Sequence, residues 1–240
     1  MWSESSSGAE AQFTPTAPGY LSQLRALVLR YQNFTFSRMV DAGIGRLLIA
    51  SLHQGIADVV PTRLPFYENW LTPPGLSSGR KFGLAPLHAV LSFLRLEGEP
   101  TYTQIMQCAG GYTGEWAFDE LSSFRRALVR RCPAPLRART ALWLSRRMIR
   151  QTFRGSTSRV KVRKGVGTIE LRGSIFCEVR EKTDRPMCAF YSAALARFLE
   201  RFDIDAAIDV AGCRAAGGGR CTMAITIRGP RAAESAAQAA

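Results

Sequence analysis

Along the first 153 residues apolar positions recur every three or four places; beyond them the period shortens to two, except over Met187–Phe198, where the longer spacing returns. The longer period predicts helices and the shorter one half-buried strands. A helix is expected from about Tyr20 to Tyr31, with Leu21, Leu24, Leu27 and Val28 on one stripe. A second, Ser37 to Ile56, carries Met39, Val40, Ile44, Leu47, Leu48 and Leu52. Asp58 to Gly83 holds Pro61, Pro65, Pro73 and Pro74 and reads as a loop or linker whose Phe66, Tyr67 and Trp70 pack onto the domain. Leu87, Val90, Leu91 and Leu94 mark a helix that ends at Glu97-Gly98. Thr101 to Cys108 reads as a short helix, the CAGGY stretch as a turn, and Thr113 to Arg131 as the next helix. Cys132-Pro133 stops that helix, and Ala134 to Phe153 forms another with Ala141, Leu142, Ser145, Met148, Ile149 and Thr152 on its buried face.

Val160 and Val162, a turn near Lys164-Gly165, then Ile169 and Leu171 predict a strand pair. The chain from Gly173 to Ile227 reads as strand, helix and two-stranded ribbon. Asp184 is a candidate cap for its helix and Pro186 suits a first turn. Met187, Phe190, Tyr191, Ala194, Leu195 and Phe198 give that helix one apolar face. Ala206, Ile208 and Val210 alternate along one strand, and Cys221, Met223, Ile225 and Ile227 along the other, with the glycines of AAGGGR between them. The order implies an α+β fold, a helical layer packed on a small antiparallel sheet.

Three cysteines stand at the joints of this last stretch. Cys188 lies in the first turn of the expected helix, Cys213 ends one strand and Cys221 begins the other. A hairpin brings the latter two together, and a helix start packed over the hairpin end would add Cys188. Three converging thiolates suit a structural zinc ion, which takes four ligands. The alternative is three small buried hydrophobes.

SIFC, then PMC followed by an apolar helix, then C-x7-C and an alternating strand: this pattern resembles the 4-vinyl-reductase-type domain. That family takes its name from a bacteriochlorophyll biosynthesis protein. It also forms the sensory half of phenol-responsive activators and is related in fold to subunits of the TRAPP vesicle-tethering complex. The resemblance covers roughly Leu84 to Ile227, and PAPLRARTALWLSRRMIRQTFRGSTSRVKV is similar to the entry helix and first strand of the bacteriochlorophyll branch. It implies a TRAPP-like fold, a cavity for small hydrophobic, aromatic or tetrapyrrole-like molecules, and zinc on the three cysteines. In the phenol sensors a glutamate three residues before the middle cysteine is the fourth ligand. Here Val210 holds that offset and Asp209 stands one position further away, so Asp209 serves if the strand is shifted or bulged.

Composition adds one decisive fact. The chain has 32 Lys and Arg against 19 Asp and Glu, a net charge of +13. Fourteen of the basic residues, and no acidic one, fall between Leu121 and Lys164, which leaves the remainder close to neutral. Arg139, Arg146, Arg150 and Arg154 form a stripe on the helix that begins at Ala134. A basic surface of this kind suits nucleic acid, acidic lipid head groups, an acidic partner or a carboxylate-bearing ligand, or it is a solvated face.

No apolar run reaches the length of a membrane span, the N-terminus lacks the charge and hydropathy of a secretory signal, and six scattered cysteines do not form a secreted disulfide framework. A reducing cytoplasm is the expected location. His53 and His88 are the only histidines, and neither belongs to a readable triad; the glycine run at Gly217 sits in a hairpin, so no nucleotide cofactor is expected. Trp116, Phe118, Trp143, Phe153, Phe176 and Tyr191 fall on expected buried faces, where they enclose a ligand or fill the core. The organisation expected is a disordered stretch over 1–19, a helical extension or homodimerisation element with a linker over 20–83, a binding domain over 84–228 and a disordered tail over 229–240. The function expected is non-catalytic ligand binding, with a basic-surface interaction module and a vinyl reductase as alternatives.

Overall fold

Gly45 donates its N–H to the Thr152 carbonyl and opens the first helix among the described residues. The computed structural model describes residues 44–71, 84–163, 165–178 and 183–230. The helix expected over Tyr20 to Tyr31, the start of the one from Ser37, the terminal segment over 1–19 and most of the tail over 229–240 lie outside the described residues.

Helix α1 (Arg46–Val59) buries Leu48, Leu52 and Ile56, successive turns of one face. A 3-10 turn (Pro61–Arg63) and α2 (Leu64–Leu71) follow, where the sequence reads as loop. The prolines start these elements instead of breaking them, because a first turn needs no proline N–H. Tyr67 and Leu71 of α2 are buried, while Phe66 and Trp70 lean on Phe93 of α3 (Leu84–Leu96) at ring distances of 5.1 and 6.1 Å.

Helix α4 (Thr101–Asp119) runs unbroken through CAGGY, so the expected turn is absent. The glycines serve close packing. A Cβ on Gly110 would lie 2.2 Å from the Phe190 carbonyl oxygen, and one on Gly114 would lie 2.3 Å from that of Ala194. Both contacts fall on α7 (Ala189–Glu200), along which α4 packs; α1 packs on α4 in turn. The helix break comes later, at Glu120 to Ser122, where the Ser122 hydroxyl accepts the Arg125 N–H and starts α5 (Ser123–Arg131). Helix α6 (Ala134–Thr152) follows the Cys132-Pro133 stop.

Four strands form one antiparallel sheet: β1 (Thr157–Arg163), β2 (Val166–Arg172), β3 (Ile204–Gly212) and β4 (Cys221–Pro230), in spatial order β1-β2-β4-β3. Ile169 faces Val160 on one side and Met223 on the other, and Ile208 faces Ile225. This register gathers Ile169, Leu171, Met223 and Ile225 on the buried face, against which α6 and α7 pack. The opposite face carries Arg159, Lys161, Glu170 and Arg172, with Glu170 held between Lys161 at 3.2 Å and Arg220 at 2.9 Å. The fold is therefore α+β: a sheet, a layer of α6 and α7, then α4 and α1 stacked outward. Among the described residues no helix is long and apolar enough to cross a membrane.

Candidate metal centre

Four chain segments meet at the end of the sheet nearest the start of α7. Ile175–Cys177, read as strand from sequence, is a 3-10 turn that carries Cys177 inward directly after β2. Cys188 is the N-cap of α7, so the helix begins after the positions of Asp184 and Pro186. Cys213 follows β3, and Cys221 opens β4. All four are buried, and their sulfurs lie within 4.8 Å of one another.

The distances define a compact tetrad. Cys177 Sγ is 3.1 Å from Cys188 Sγ, 3.5 Å from Cys213 Sγ and 3.4 Å from Cys221 Sγ, and Cys188 to Cys213 is 3.7 Å. A tetrahedral ion with metal–sulfur bonds of about 2.3 Å needs sulfur–sulfur edges of about 3.8 Å. The thiols thus stand close to the geometry of a single four-coordinate ion. A polynuclear iron–sulfur cluster, whose thiolates bind different irons, would spread them further apart.

The backbone favours charge on two of the sulfurs. Met187 N–H donates to Cys213 Sγ at 3.3 Å, and Arg214 N–H to Cys221 Sγ at 3.5 Å. Hydrogen bonds with Cys177, then Cys188 and Cys221, hold the Cys213 thiol far below its ordinary range, and the Met187 N–H adds to this. Cys221 is lowered as well, first by Cys177 and then by Cys188. Cys188 is pushed up, chiefly by its contact with Cys177. For Cys177 the downward pull of Cys188 is outweighed by Cys213, Cys221 and burial, so it too is raised. A bound cation would remove this asymmetry by stabilising all four thiolates.

The surroundings fix the tetrad. Gly218 N–H donates to the Cys213 carbonyl at 2.9 Å, and Thr183 N–H to the Ala215 carbonyl at 2.8 Å, which ties the hairpin loop to the approach of α7. Phe176, Phe190 and Tyr191 pack on one another with centroids 4.6–5.5 Å apart. The buried Tyr191 hydroxyl lies 3.1 Å from Ser156 Oγ, whose own proton goes to the Gly173 carbonyl at 2.8 Å.

The expected ligand set is corrected at one position. Cys188, Cys213 and Cys221 come together, but Asp209 is exposed on β3 opposite Ala224, and Cys177 completes the tetrad. β3 is irregular on both sides, between Asp205 and Ala206 and between Val210 and Gly212, yet neither shift turns Asp209 inward. Cys177 was visible within SIFC; its signal was a cysteine in the short connection directly before the cysteine-capped helix.

The expected aromatic cavity is corrected too. Phe153, Phe176 and Tyr191 fill the core, and Phe118 stacks edge-on against Phe202 at 4.9 Å. Trp116 is half-buried beside Tyr112, and Trp143 is 62% exposed, not on a buried face. Trp143 instead stands in an open cleft of about 1070 Å3 between α6 and the β1–β2 hairpin, with Arg139, Arg146, Lys161 and Arg163 around it and Val160, Val162 and Val166 among its walls. Arg139, Arg146 and Arg150 are exposed on α6, as their spacing predicts, while Arg154, also exposed, lies in the turn after the helix. The two histidines lie apart from the thiols in pairing: His53 meets Glu68 at 2.8 Å and His88 meets Glu178 at 3.7 Å.

Fold and site together define an α+β domain with a buried four-cysteine centre able to hold a metal ion. No family model matches the chain, and no curated protein matches it either.

Proposed function

We propose that this chain is a non-catalytic binding domain, organised by a structural zinc ion on Cys177, Cys188, Cys213 and Cys221, that takes an amphipathic, carboxylate-bearing small molecule of tetrapyrrole-like kind. The observation that carries the ligand is the cleft along α6. Its apolar valines and exposed Trp143 offer surface to a planar hydrophobic body, while Arg139 and Arg146 of α6 offer charge to its carboxylates. Zinc is favoured at the thiols because four sulfur ligands leave no open position, the mark of structural sites, and a reducing cytoplasm would keep those thiols free. The resemblance to the 4-vinyl-reductase-type domain, with its TRAPP-like fold, supports the same reading. The strand-strand-helix-strand-strand order agrees with it.

The test uses protoporphyrin IX as probe. Binding should raise the melting temperature and quench tryptophan fluorescence, since a ligand of the folded state alone must stabilise it. Arg139→Glu/Arg146→Glu and Trp143→Ala should each weaken binding at least tenfold without lowering the melting temperature of the free protein. No shift at saturating probe, or equal binding by these variants, would overturn the cleft assignment.

A further inference from the structure

Helix α5 has an unusual division of faces. Only Val129 is buried, whereas Phe124 is 74% exposed and Leu128, one turn on, is 54% exposed. Arg125 and Arg131 flank this apolar pair and are themselves exposed. An exposed phenylalanine and leucine on one ridge of a helix with four arginines and no acid is the pattern of a segment that lies in a membrane interface.

A second feature of the same helix points to the same partner. Arg126 and Arg130 turn toward an open cavity of about 450 Å3 that is also lined by Phe118, Arg131 and Arg201. The guanidinium carbons of Arg126, Arg130 and Arg201 lie 4.9–5.4 Å from the Phe118 ring centroid. Two carboxylates answer these cations: Asp119, 3.6 Å from Arg126 and 3.3 Å from Arg201, and Asp203, 3.5 Å from Arg130. Four guanidiniums against two carboxylates leave an excess of positive charge at a site wide enough for a phosphate group.

We propose that α5 is a peripheral docking surface for a bilayer rich in anionic phospholipid, with Phe124 and Leu128 entering the interface and the arginines over Phe118 receiving a headgroup phosphate. A nucleic acid would engage the arginines but offers an exposed leucine no apolar medium; the bilayer interface supplies both. The proposal goes beyond the cleft reading and needs no cleft ligand.

Vesicle co-sedimentation of the full chain tests it, comparing phosphatidylcholine alone with phosphatidylcholine containing phosphatidylglycerol. Binding should occur on the anionic vesicles and be at least tenfold weaker on the neutral ones. Phe124→Ser/Leu128→Ser should reduce it at least tenfold with an unchanged melting temperature, because both side chains are exposed. Arg126→Glu/Arg130→Glu should reduce it further. Equal binding to both vesicle types, or undiminished binding by Phe124→Ser/Leu128→Ser, would overturn the proposal. So would a single-stranded oligonucleotide that binds through Phe124 while vesicles do not.

Discussion

Cys177→Ser separates a four-thiol centre from one completed by Asp209. Serine keeps nearly the volume of cysteine, so the core is not emptied, but a neutral hydroxyl is a poor partner for zinc. Cys177 is within 3.5 Å of all three other sulfurs, which makes it the most connected member of the tetrad. Its loss should weaken zinc binding at least 100-fold, or about 2.8 kcal/mol. Zinc bound only by the folded chain stabilises it by about 2.7 kcal/mol at a hundredfold excess over its dissociation constant, and by about 4 kcal/mol at a thousandfold. For a protein of this size, that corresponds to roughly 5–16 °C in melting temperature. Elemental analysis of untagged protein should find near-stoichiometric zinc in the parent and in Asp209→Asn, and a deficit in Cys177→Ser. Thermal melts should show the parent falling to the level of Cys177→Ser when a chelator is added, with no further fall for the variant. Full zinc in Cys177→Ser, or loss of zinc in Asp209→Asn, would refute the assignment.

Two glycines of α4 make a paired test of the helix packing. Gly114→Ala places a methyl where the Ala194 carbonyl already stands, and should destabilise by about 1–3 kcal/mol. Gly111→Ala, whose added Cβ meets nothing within 4 Å, should instead stabilise by about 0.5–1 kcal/mol. Urea melts distinguish the two, and equal effects would mean that α4 and α7 do not approach so closely. Phe176→Ala removes a fully buried ring beside Cys177 and should cost about 3–5 kcal/mol, with faster release of zinc to a colorimetric chelator; unchanged release would separate the aromatic wall from the centre. Tyr191→Phe deletes only the hydroxyl next to Ser156 and should cost about 1 kcal/mol, as Ser156 keeps its bond to Gly173. A loss near that of Phe176→Ala would show that the hydroxyl holds more than this one contact.

Much of the sheet was legible because alternation leaves little choice: Ile169, Leu171, Met223 and Ile225 share a face in the sequence and in the fold. The helical half was less so. CAGGY carries the composition of a turn, and only the neighbouring helix explains its glycines, through the space that Phe190 and Ala194 take up. Pro61 and Pro65 misled for the opposite reason, since a proline marks a start as readily as a stop. Trp143 illustrates a further limit. Its helix has Leu142 buried beside it, and one residue of rotation separates a core position from the mouth of a cleft.

The thiol centre shows why the expected elements bring three of its members together and leave the fourth aside. Cys188, Cys213 and Cys221 sit where a helix or strand begins or ends, so the expected elements already brought them together. Cys177 belongs to a single 3-10 turn, whose direction no periodicity records. Once that turn is in place, the centre joins the exit of β2, the entry of α7 and both ends of the β3–β4 hairpin. The strand ends among them are already paired, Leu171 with Cys221 and Gly212 with Thr222, but the Cys177 turn and the start of α7 lie outside the sheet's hydrogen bonds. An ion there would act as a fourth kind of contact at the point where strand pairing stops, and its effect should be local before it is global. Removing zinc should therefore raise amide exchange first around Ile175–Cys177 and the Cys213–Cys221 loop, while Leu48 and Leu52 of α1 stay protected. Uniform loss of protection through α1 would show instead that the centre and the helical layers melt as one unit.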